Sequence, residues 1–218
     1  MDILYEDNHI IVAVKPAGVL SQSDGSGAPD MLTILKQYIK EKYNKPGNVY
    51  LGLVHRLDRP VGGVMVFART SKAASRLSEQ IRNHTVGKYY YAVVKGTFAG
   101  KSGRFVNYLS KDDKTNTVTV FDKPTGDAKQ AELGYEVIDE KDGLSLVKVD
   151  LRTGRSHQIR AQFAHSGHPL VFDHKYGDGT GNNDIALFCG EMEIMHPVSK
   201  ERLSFKAPLP TDYPWHIF

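Results

Sequence analysis

Residues 104–151 carry the pattern that decides the fold class, because four successive segments alternate apolar and polar side chains. The segments are RFVNYLS (104–110), NTVTVFD (116–122), QAELGYEVID (130–139) and LSLVKVDL (144–151). A period of two residues is typical of β-strands. The connections DDKTN, KPTGD and EKDG have the composition of tight turns. This stretch therefore predicts an antiparallel meander.

The rest of the chain adds further strands and three helices. Strands are predicted twice within residues 1–15, joined at Asp7-Asn8, and at Leu51–Leu57, GVMVFART (63–70), KYYYAVVKG (88–96), ALFCGEMEIM (186–195) and RLSFKA (202–207). Helices are predicted after Asp30 with an apolar stripe of Leu32, Leu35 and Ile39, over Ser71–His84 with Ala74, Leu77 and Ile81, and over SHQIRAQFAHSG (156–167). Strands outnumber helices, which favours the α+β class over a doubly wound nucleotide-binding fold. We expect one domain over residues 1–218, whose sheet is mixed but largely antiparallel, with a central cleft and a few flanking helices.

Composition limits where this chain acts and what it binds. It has 218 residues, 40% apolar and 24% charged, which is ordinary for a globular protein. No apolar run approaches the roughly 20 residues of a membrane helix, and the acidic N-terminus lacks the basic start of an export signal. The single cysteine, Cys189, excludes an internal disulfide and fits a reducing cytoplasm. Because the net charge is only +3, binding to a polyanion requires a clustered basic patch.

Signatures of metal, nucleotide and serine-nucleophile chemistry are weak. The HxxH formed by His165 and His168 spans Ser166-Gly167 and is not a helical ligand pair, and HExxH does not occur. The glycine-rich stretch SQSDGSGAPD (21–30) lacks the GK[ST] ending of a phosphate loop. No GxSxG motif occurs, and Cys189 lies in a strand-like run that favours a core role. We therefore expect no metal site.

The stretch GLVHRLDRPVGG (52–63) contains the first candidate functional residue. Asp58 lies between Arg56 and Arg59, and two glycines follow. One interpretation is a turn aspartate that accepts hydrogen bonds from nearby N–H groups. The other is a catalytic aspartate in a positively charged cleft, since the arginines raise the local potential and attract an anionic substrate. This segment alone leaves both interpretations open.

A second candidate is LRTGRSHQIRAQFAHSGHP (151–169), which contains three arginines, two glutamines and three histidines. A helix from Ser156 would place His157 and Arg160 on one face and direct Ile159 towards the core. Two interpretations are open: an amphipathic helix with a solvated face, and an element that binds phosphates through arginines and N-terminal N–H groups.

Three consecutive tyrosines, Tyr89, Tyr90 and Tyr91, form the third candidate. On a strand, Tyr90 points to the opposite side from its two neighbours. Core packing is the default role for each ring. A ring that stacks on a base is the alternative if the cleft receives a nucleotide.

The chain resembles the RluA-type pseudouridine synthases in five ordered motifs. HRLDRPVGGVMVFART (55–70) is similar to their active-site segment, HRLDxxTSG followed by an apolar strand. The other four are VKPAGVL (14–20) for KPxG, KYYYAVVKG (88–96) for KxYxAxVxG, LRTGRSHQIRAQFAHSGHPLVFDHKYG (151–177) for TGRxHQIRxHxxxxGxPIxGDxxYG, and MHPVSKERLSFKAPLP (195–210) for HPxTGExxxFxAPxP. The resemblance covers nearly the whole chain and implies a single catalytic domain of the pseudouridine-synthase fold.

The resemblance implies a role for each matching residue. Asp58 stands at the essential aspartate, and Arg160 stands at the QIR arginine that pairs with that aspartate in such enzymes. Tyr90 stands at the tyrosine that stacks on the target base and is implicated in proton transfer, and Ile159 lines the base pocket. The remaining candidate substrate-binding residues are His55, Arg56, Arg59, Arg155 and Gln158. The chain departs from the family at Val61-Gly62, where Thr-Ser is common, and at Gln162, where histidine is frequent.

The implied reaction converts uridine in RNA to pseudouridine, so that the N1–C1′ bond breaks and a C5–C1′ bond forms. It needs no metal, cofactor or external energy. The target uridine must leave its stack, at a cost of a few kcal/mol, and stacking on Tyr90 would recover roughly 1–3 kcal/mol. Whether Asp58 attacks C1′, adds to C6 or removes a ribose proton stays open. We expect Arg160→Met to keep the fold and to cripple turnover.

The resemblance implies an RNA partner, either an rRNA or a tRNA stem-loop. Because the pattern begins almost at Met1, we expect a stand-alone catalytic domain without the S4 RNA-binding domain of many relatives. We also expect a monomer in the cytoplasm with no membrane contact and no obligatory protein partner. Two other readings are a catalytically silent RNA-binding module on the same fold and an aspartate-dependent glycoside hydrolase. The second needs another carboxylate as general acid, and none stands out near these motifs.

Overall fold

A computed structural model describes residues 2–179 and 184–218, and the chain divides into two units. The first unit comprises Met1–Gly87 and Gly190–Ala207, and the second comprises Lys88–Cys189 and Pro208–Phe218. Each unit is therefore assembled from two separate segments of the chain.

The described residues contain eleven β-strands, three helices and one short 3₁₀ turn. The strands are β1 (Ile3–Glu6), β2 (Ile10–Lys15), β3 (Gly52–Leu53), β4 (Gly62–Ala68), β5 (Gly87–Lys95), β6 (Ser102–Asp112), β7 (Thr117–Phe121), β8 (Lys129–Lys141), β9 (Leu144–Leu151), β10 (Leu187–Met195) and β11 (Arg202–Lys206). The helices are α1 (Met31–Lys42), α2 (Ser71–Arg82) and α3 (Gln158–His165), and a 3₁₀ turn covers Trp215–Ile217.

The first unit has its core around β2 and β4. These strands pair antiparallel, with Ile10 opposite Ala68 and Lys15 opposite Gly63, and β1 pairs antiparallel with β2. All seven residues of β4 are buried. One hydrophobic cluster joins residues of both chain segments: Ile10, Val12, Val64, Val66, Leu77, Met192, Ile194 and Phe205. Burial on this scale is the main stabilising contribution to such a unit.

Capping side chains fix where α1 and α2 begin. Asp30 accepts a hydrogen bond from the Thr33 N–H at 3.1 Å, which confirms the predicted N-cap. Thr70 does the same for the Ala73 N–H at 3.1 Å.

The second unit is an antiparallel sheet in the order β5-β9-β8-β6-β7. The four antiparallel strands predicted over residues 104–151 are confirmed as the last four of this sheet. The predicted meander is wrong in one connection, because β8 pairs with β6 and not with its chain neighbour β7. Phe163 of α3 packs edge-on against Phe105 and Tyr135, with ring centroids 5.1 and 5.6 Å away. This contact places α3, which carries several candidate site residues, against the core of the unit.

The α+β class and the largely antiparallel pairing are confirmed, whereas several details of the sequence prediction are wrong. The strand predicted over residues 51–57 is limited to Gly52–Leu53, because residues 57–59 bond to residues 15–21 instead. In α1 the buried stripe contains Met31 rather than Leu32. In α2 the predicted Ala74, Leu77 and Ile81 do pack against the core, and the prediction missed only the buried Ala73. The single domain over residues 1–218 stays a prediction.

Helix α3 differs most from its prediction. It begins at Gln158 rather than Ser156, because His157 adopts a left-handed conformation with φ 51°. Six consecutive residues, Gln158–Phe163, are buried, so the helix has no broad solvated face. The amphipathic interpretation is wrong, since Gln158, Arg160 and Gln162 are buried with partners from other segments.

No helix within the described part of the chain is long and apolar enough to cross a membrane.

Candidate active site

The residues predicted to form the site belong to both units. His55, Arg56, Asp58 and Arg59 lie in the first unit, and Tyr90, Arg155, Gln158, Ile159 and Arg160 lie in the second. Each group has its own supporting contacts.

Asp58 lies at the start of a tight turn that leads into β4. Its carbonyl accepts the Val61 N–H at 3.0 Å. Asp58 is half-buried, Leu57 before it is buried, and Arg56 and Arg59 are exposed. The segment therefore fixes one carboxylate between two solvent-facing cations, which is an arrangement suited to an anionic ligand.

Lys15, at the end of β2, anchors this turn from inside the first unit. Its side chain has no exposed surface, and its Nζ donates to the carbonyls of Pro16, Val19 and Arg59 at 3.0, 2.5 and 3.0 Å. A buried ammonium group is costly unless its hydrogen bonds are satisfied. Here three carbonyls satisfy it, and one of them directly follows Asp58.

Two further ties connect the turn to the segment after β2. The Gly18 N–H donates to the Arg59 carbonyl at 2.9 Å, and Arg59 Nε donates back to the Gly18 carbonyl at 3.1 Å. Ser21 bonds both the carbonyl and the N–H of Leu57, at 2.8 and 3.1 Å. The backbone on either side of Asp58 is thus held by residues 15–21.

We expect replacement of Lys15 with methionine to destabilise the first unit. Methionine has a similar shape but removes the Lys15 donor from the carbonyls of Pro16 and Val19, and the Arg59 carbonyl keeps only the Gly18 N–H. Each acceptor left unsatisfied costs about 1–3 kcal/mol. The expected loss is about 3 kcal/mol or more, which lowers the midpoint of thermal unfolding by about 10 °C in a protein of this size. Thermal unfolding followed by circular dichroism measures this midpoint, and Lys40→Met, at an exposed position, is the matched control. An unchanged midpoint for Lys15→Met would contradict the anchoring role.

His55 and Val61 have contacts that explain their positions. His55 Nε2 accepts the Val66 N–H of β4 at 3.0 Å, so this ring holds the segment against the strand. Val61 is 2% exposed and belongs to the core, which accounts for an apolar residue at this position. Gly63 has φ 127°, a conformation that favours glycine. A contact between His55 and substrate stays a prediction.

In the second unit, Tyr90 lies on β5 opposite Val149 of β9. It is 7% exposed, whereas Tyr89 and Tyr91 are half-buried, so the predicted alternation of the three tyrosines is confirmed. Lys148 lies over the Tyr89 ring at 4.9 Å from its centroid. Tyr90 is therefore the tyrosine directed towards the interior of this unit.

Gln158 and Arg155 organise the loop that precedes α3. The Gln158 Oε1 accepts from the Thr153 hydroxyl at 2.8 Å and from the Arg155 N–H at 3.0 Å, and its Nε2 donates to the Glu132 carbonyl at 3.0 Å. Arg155 is exposed, and its Nε donates to the Gln130 carbonyl at 3.0 Å. Gln158 thus shapes the loop, and direct contact with substrate stays a prediction for both residues.

Arg160 makes a two-point ion pair with Asp173. Its Nε donates to Oδ2 at 2.8 Å and its NH2 group donates to Oδ1 at 2.7 Å. The side chains are 7% and 0% exposed. Ile159, next to Arg160, is 4% exposed. The predicted pair of Arg160 with Asp58 stays a prediction, and Asp173 is a partner that was not singled out from the sequence.

Asp173 is ionised in its buried position because its hydrogen bonds outweigh desolvation. Burial alone would raise its pKa, but the bonds and charge of Arg160 and the N–H groups of Lys175 and Tyr176 hold the pKa below its ordinary value. Its place within GHPLVFDHKYG was the available signal, since an acidic residue in an apolar segment needs a partner.

Lys88 is a second residue that was not singled out from the sequence. Burial lowers the pKa of its side chain, and the nearby Cys189 and Asp150 act in the opposite direction. Its Nζ would lie 3.4 Å from a Cβ placed on Gly154. The lysine of the KxY element therefore reaches the loop that precedes α3.

A cavity of about 410 Å³ opens beside the same loop. Its lining combines cationic and acidic side chains with small residues: Leu109, Ser110, Lys111, Asp113, Val118, Asp127, Lys129, Gly154, Arg155 and Ser156. Lys111 pairs with Asp113 at 2.7 Å, and Ser110 bonds Asp127 at 3.2 Å. Lys129 and Arg155 also line the cavity, and neither takes part in these two contacts.

Within residues 2–179 and 184–218, no group of three or more histidine, cysteine or acidic side chains is arranged to hold a metal ion.

Comparison with known proteins assigns the family. A family model described as RNA pseudouridylate synthase matches residues 9–165. The chain belongs to this family. Members are isomerases that act on RNA, and the resemblance to RluA-type enzymes is thereby confirmed.

The related sequences include enzymes with different RNA substrates. YhcT of Bacillus subtilis, an uncharacterized RNA pseudouridine synthase, is 32% identical over 97% of this chain and 70% of its own length. The ribosomal large subunit pseudouridine synthase C of Vibrio vulnificus is 33% identical over 95% of this chain and 65% of its own. The tRNA pseudouridine synthase C of Haemophilus ducreyi is 31% identical over 100% of this chain and 93% of its own. The chain thus spans about two thirds of the length of the first two relatives.

Solved structures share the fold. Human RNA pseudouridylate synthase domain containing 4 superposes with a TM-score of 0.79 at 22% identity, covering 95% of this chain and 88% of that one. Human RNA pseudouridylate synthase domain containing 1 superposes with a TM-score of 0.75 at 21% identity, covering 96% of this chain and 84% of that one.

Proposed function

We propose that this chain isomerises uridine to pseudouridine in rRNA or tRNA, with Asp58 as the catalytic aspartate. The observation that carries the proposal is the Asp58 turn, which buried Lys15 holds through the Arg59 carbonyl. A solvated turn aspartate does not need a buried lysine behind it, whereas a reacting carboxylate does need a fixed position. Relatives that act on large-subunit rRNA and on tRNA support both substrate classes.

The other predicted residues take roles that fit their chemistry. Tyr90 stacks on the displaced uracil, Ile159 lines the base pocket, and Arg160 orients the reacting carboxylate. Arg56 and Arg59 are exposed and meet the phosphates beside the target nucleotide. The net reaction moves one proton from C5 to N1 and exchanges one bond at C1′, so no oxidant, metal or cofactor is required.

The 410 Å³ cavity is proposed to receive RNA backbone. Replacing both Lys111 and Lys129 with glutamine should raise the KM for RNA and leave kcat unchanged, because neither residue reaches the reacting base in this proposal. The slope of log affinity against log salt should also fall by about 1.5. Lys40→Gln with Lys45→Gln on the first unit gives the same change in net charge. If both double variants raise the KM for RNA equally, a specific role for the cavity is contradicted.

Release of tritium from RNA labelled at C5 of uridine tests the reaction directly. The proposal expects release by the purified protein and loss of specific pseudouridines from RNA of a deletion strain. RNA binding without release would favour the silent RNA-binding module, and free uracil would favour the glycoside hydrolase. A chain that leaves every tested RNA and the cellular RNA unmodified would refute the proposal.

A cytoplasmic location follows from the proposed rRNA or tRNA substrate, and we further propose that the chain acts as a monomer.

A further inference from the structure

We propose that Asp173 is a positioning residue for catalysis, because it fixes the direction in which the Arg160 guanidinium acts. This inference rests on the proposed function, in which Arg160 orients the reacting carboxylate. It adds a second carboxylate that does not touch the substrate and acts only through the arginine.

The geometry of the pair fixes the arginine in one plane. Nε and NH2 of Arg160 meet the two oxygens of Asp173 at 2.8 and 2.7 Å, in the parallel arrangement that a guanidinium and a carboxylate prefer. A guanidinium has five N–H groups. The pair uses one hydrogen on Nε and one on NH2, so both hydrogens of NH1 and one of NH2 point away from Asp173.

Backbone bonds fix the carboxylate in turn. Oδ1 of Asp173 also accepts the N–H groups of Lys175 and Tyr176, at 2.9 and 3.1 Å. The Asp173 carbonyl accepts the Gly177 N–H at 2.9 Å, and a Cβ on Gly177 would lie only 2.8 Å from that carbonyl oxygen. The loop over residues 173–177 therefore has little freedom to move the carboxylate.

The Tyr176 ring restrains the arginine from its flat side. The Arg160 Cζ lies 5.3 Å from the centroid of this ring. The Tyr176 hydroxyl accepts the Val118 N–H of β7 at 2.8 Å and bonds His157 Nδ1 at 2.7 Å. Arg160 is thus held at one edge by a carboxylate and at one face by a ring that is itself anchored.

Stability alone does not account for this arrangement. A buried ion pair seldom adds stability over apolar residues of the same volume, because both charges must be desolvated. Its advantage is direction, since a two-point pair defines the orientation of the remaining N–H groups. The buried, neutralised Arg160–Asp173 pair has the properties of a positioning device.

Steady-state kinetics with three variants tests the inference. Asp173→Asn keeps an acceptor for the Lys175 and Tyr176 N–H groups but loses the two-point pair. We expect kcat to fall roughly 10- to 100-fold, with KM for RNA within about twofold of wild type. Arg160→Met and the double variant Arg160→Met/Asp173→Asn should have the same kcat, because Asp173 has no route to the reaction once the arginine is removed. If Asp173→Asn does not fold, Asp173→Glu keeps the charge, displaces it by one methylene, and should lower kcat in the same way.

A spectroscopic measurement keeps the test independent of activity. In ¹⁵N-labelled protein, the Arg160 Nε–H signal, assigned by its absence in Arg160→Met, should exchange slowly with water. It should broaden or vanish in Asp173→Asn. Glu193→Gln is the matched control, because Glu193 pairs with Arg202 at the surface of the other unit, and the Arg160 signal should stay unchanged there.

Three outcomes overturn the inference. The first is an Arg160 signal that is unaltered in Asp173→Asn, which decides the question even if no RNA substrate is turned over. The second is a kcat loss in the double variant equal to the product of the two single losses. An active wild type with a fully active Asp173→Asn would reject the positioning role and leave the proposed function intact.

Discussion

Replacement of Asp58 with asparagine is expected to reduce tritium release from RNA by more than about 1,000-fold, because the amide can serve neither as nucleophile nor as base. RNA binding should persist at wild-type affinity, since the exposed arginines on either side remain. A filter-binding assay in parallel with tritium release separates these two properties.

The structure explains why Asp58→Asn should abolish catalysis without lowering the stability of the fold. The bonds that fix the turn use the backbone of Leu57, Asp58 and Arg59, and asparagine has nearly the same shape as aspartate. The melting midpoint should therefore stay close to that of wild type. Asp139→Asn, at an exposed position of β8, is the matched control and should retain full activity. Substantial turnover by Asp58→Asn would remove Asp58 from the catalytic role.

Replacement of Arg160 with methionine is expected to lower both kcat and stability. Removal of a positioned charge at a reacting group typically costs about 100-fold or more in rate. Asp173 would lose its counter-ion while buried, which typically costs about 3–5 kcal/mol. The Lys175 and Tyr176 N–H groups still solvate it, so the lower end of that range and a midpoint lower by about 10 °C are expected.

This expectation differs from the one made from the sequence, in which Arg160→Met left the fold unaffected. The added Asp173→Asn substitution removes the unpaired charge, so the double variant should recover part of the lost midpoint without recovering activity. Thermal melts and tritium release, measured on the same samples of the single and double variants, test whether stability recovers without activity. A fully active Arg160→Met enzyme would contradict the catalytic role of Arg160.

The sequence was sufficient for the fold class and for the family, because both depend on local patterns. Alternating strands reveal an antiparallel sheet, and HRLD, KxY and HQIR are short motifs that survive at low identity. The burial of α3 was not predictable in this way. Its residues Gln158, Arg160 and Gln162 appear solvated in a helical projection, yet Glu132, Asp173 and Asn107 supply their partners from other segments.

The anchoring of the Asp58 turn shows the same limit. Lys15 ends a strand and would ordinarily be assigned to the surface, since lysine is seldom fully buried. Its decisive acceptor, the Arg59 carbonyl, lies 44 residues further along the chain. Patterns of side chains carry no information about which distant carbonyl is available, so only the folded backbone reveals this role.

The two-segment construction of each unit has a consequence for biosynthesis. The first unit completes its core with Met192, Ile194 and Phe205, and the second includes Pro208–Phe218 with its buried Trp215. The first unit cannot complete its core until Gly190–Ala207 has been synthesised, and the second cannot until Pro208–Phe218 has followed, although domains of contiguous sequence usually fold one after another during synthesis. A premature stop before Met192 would therefore leave two incomplete cores instead of one.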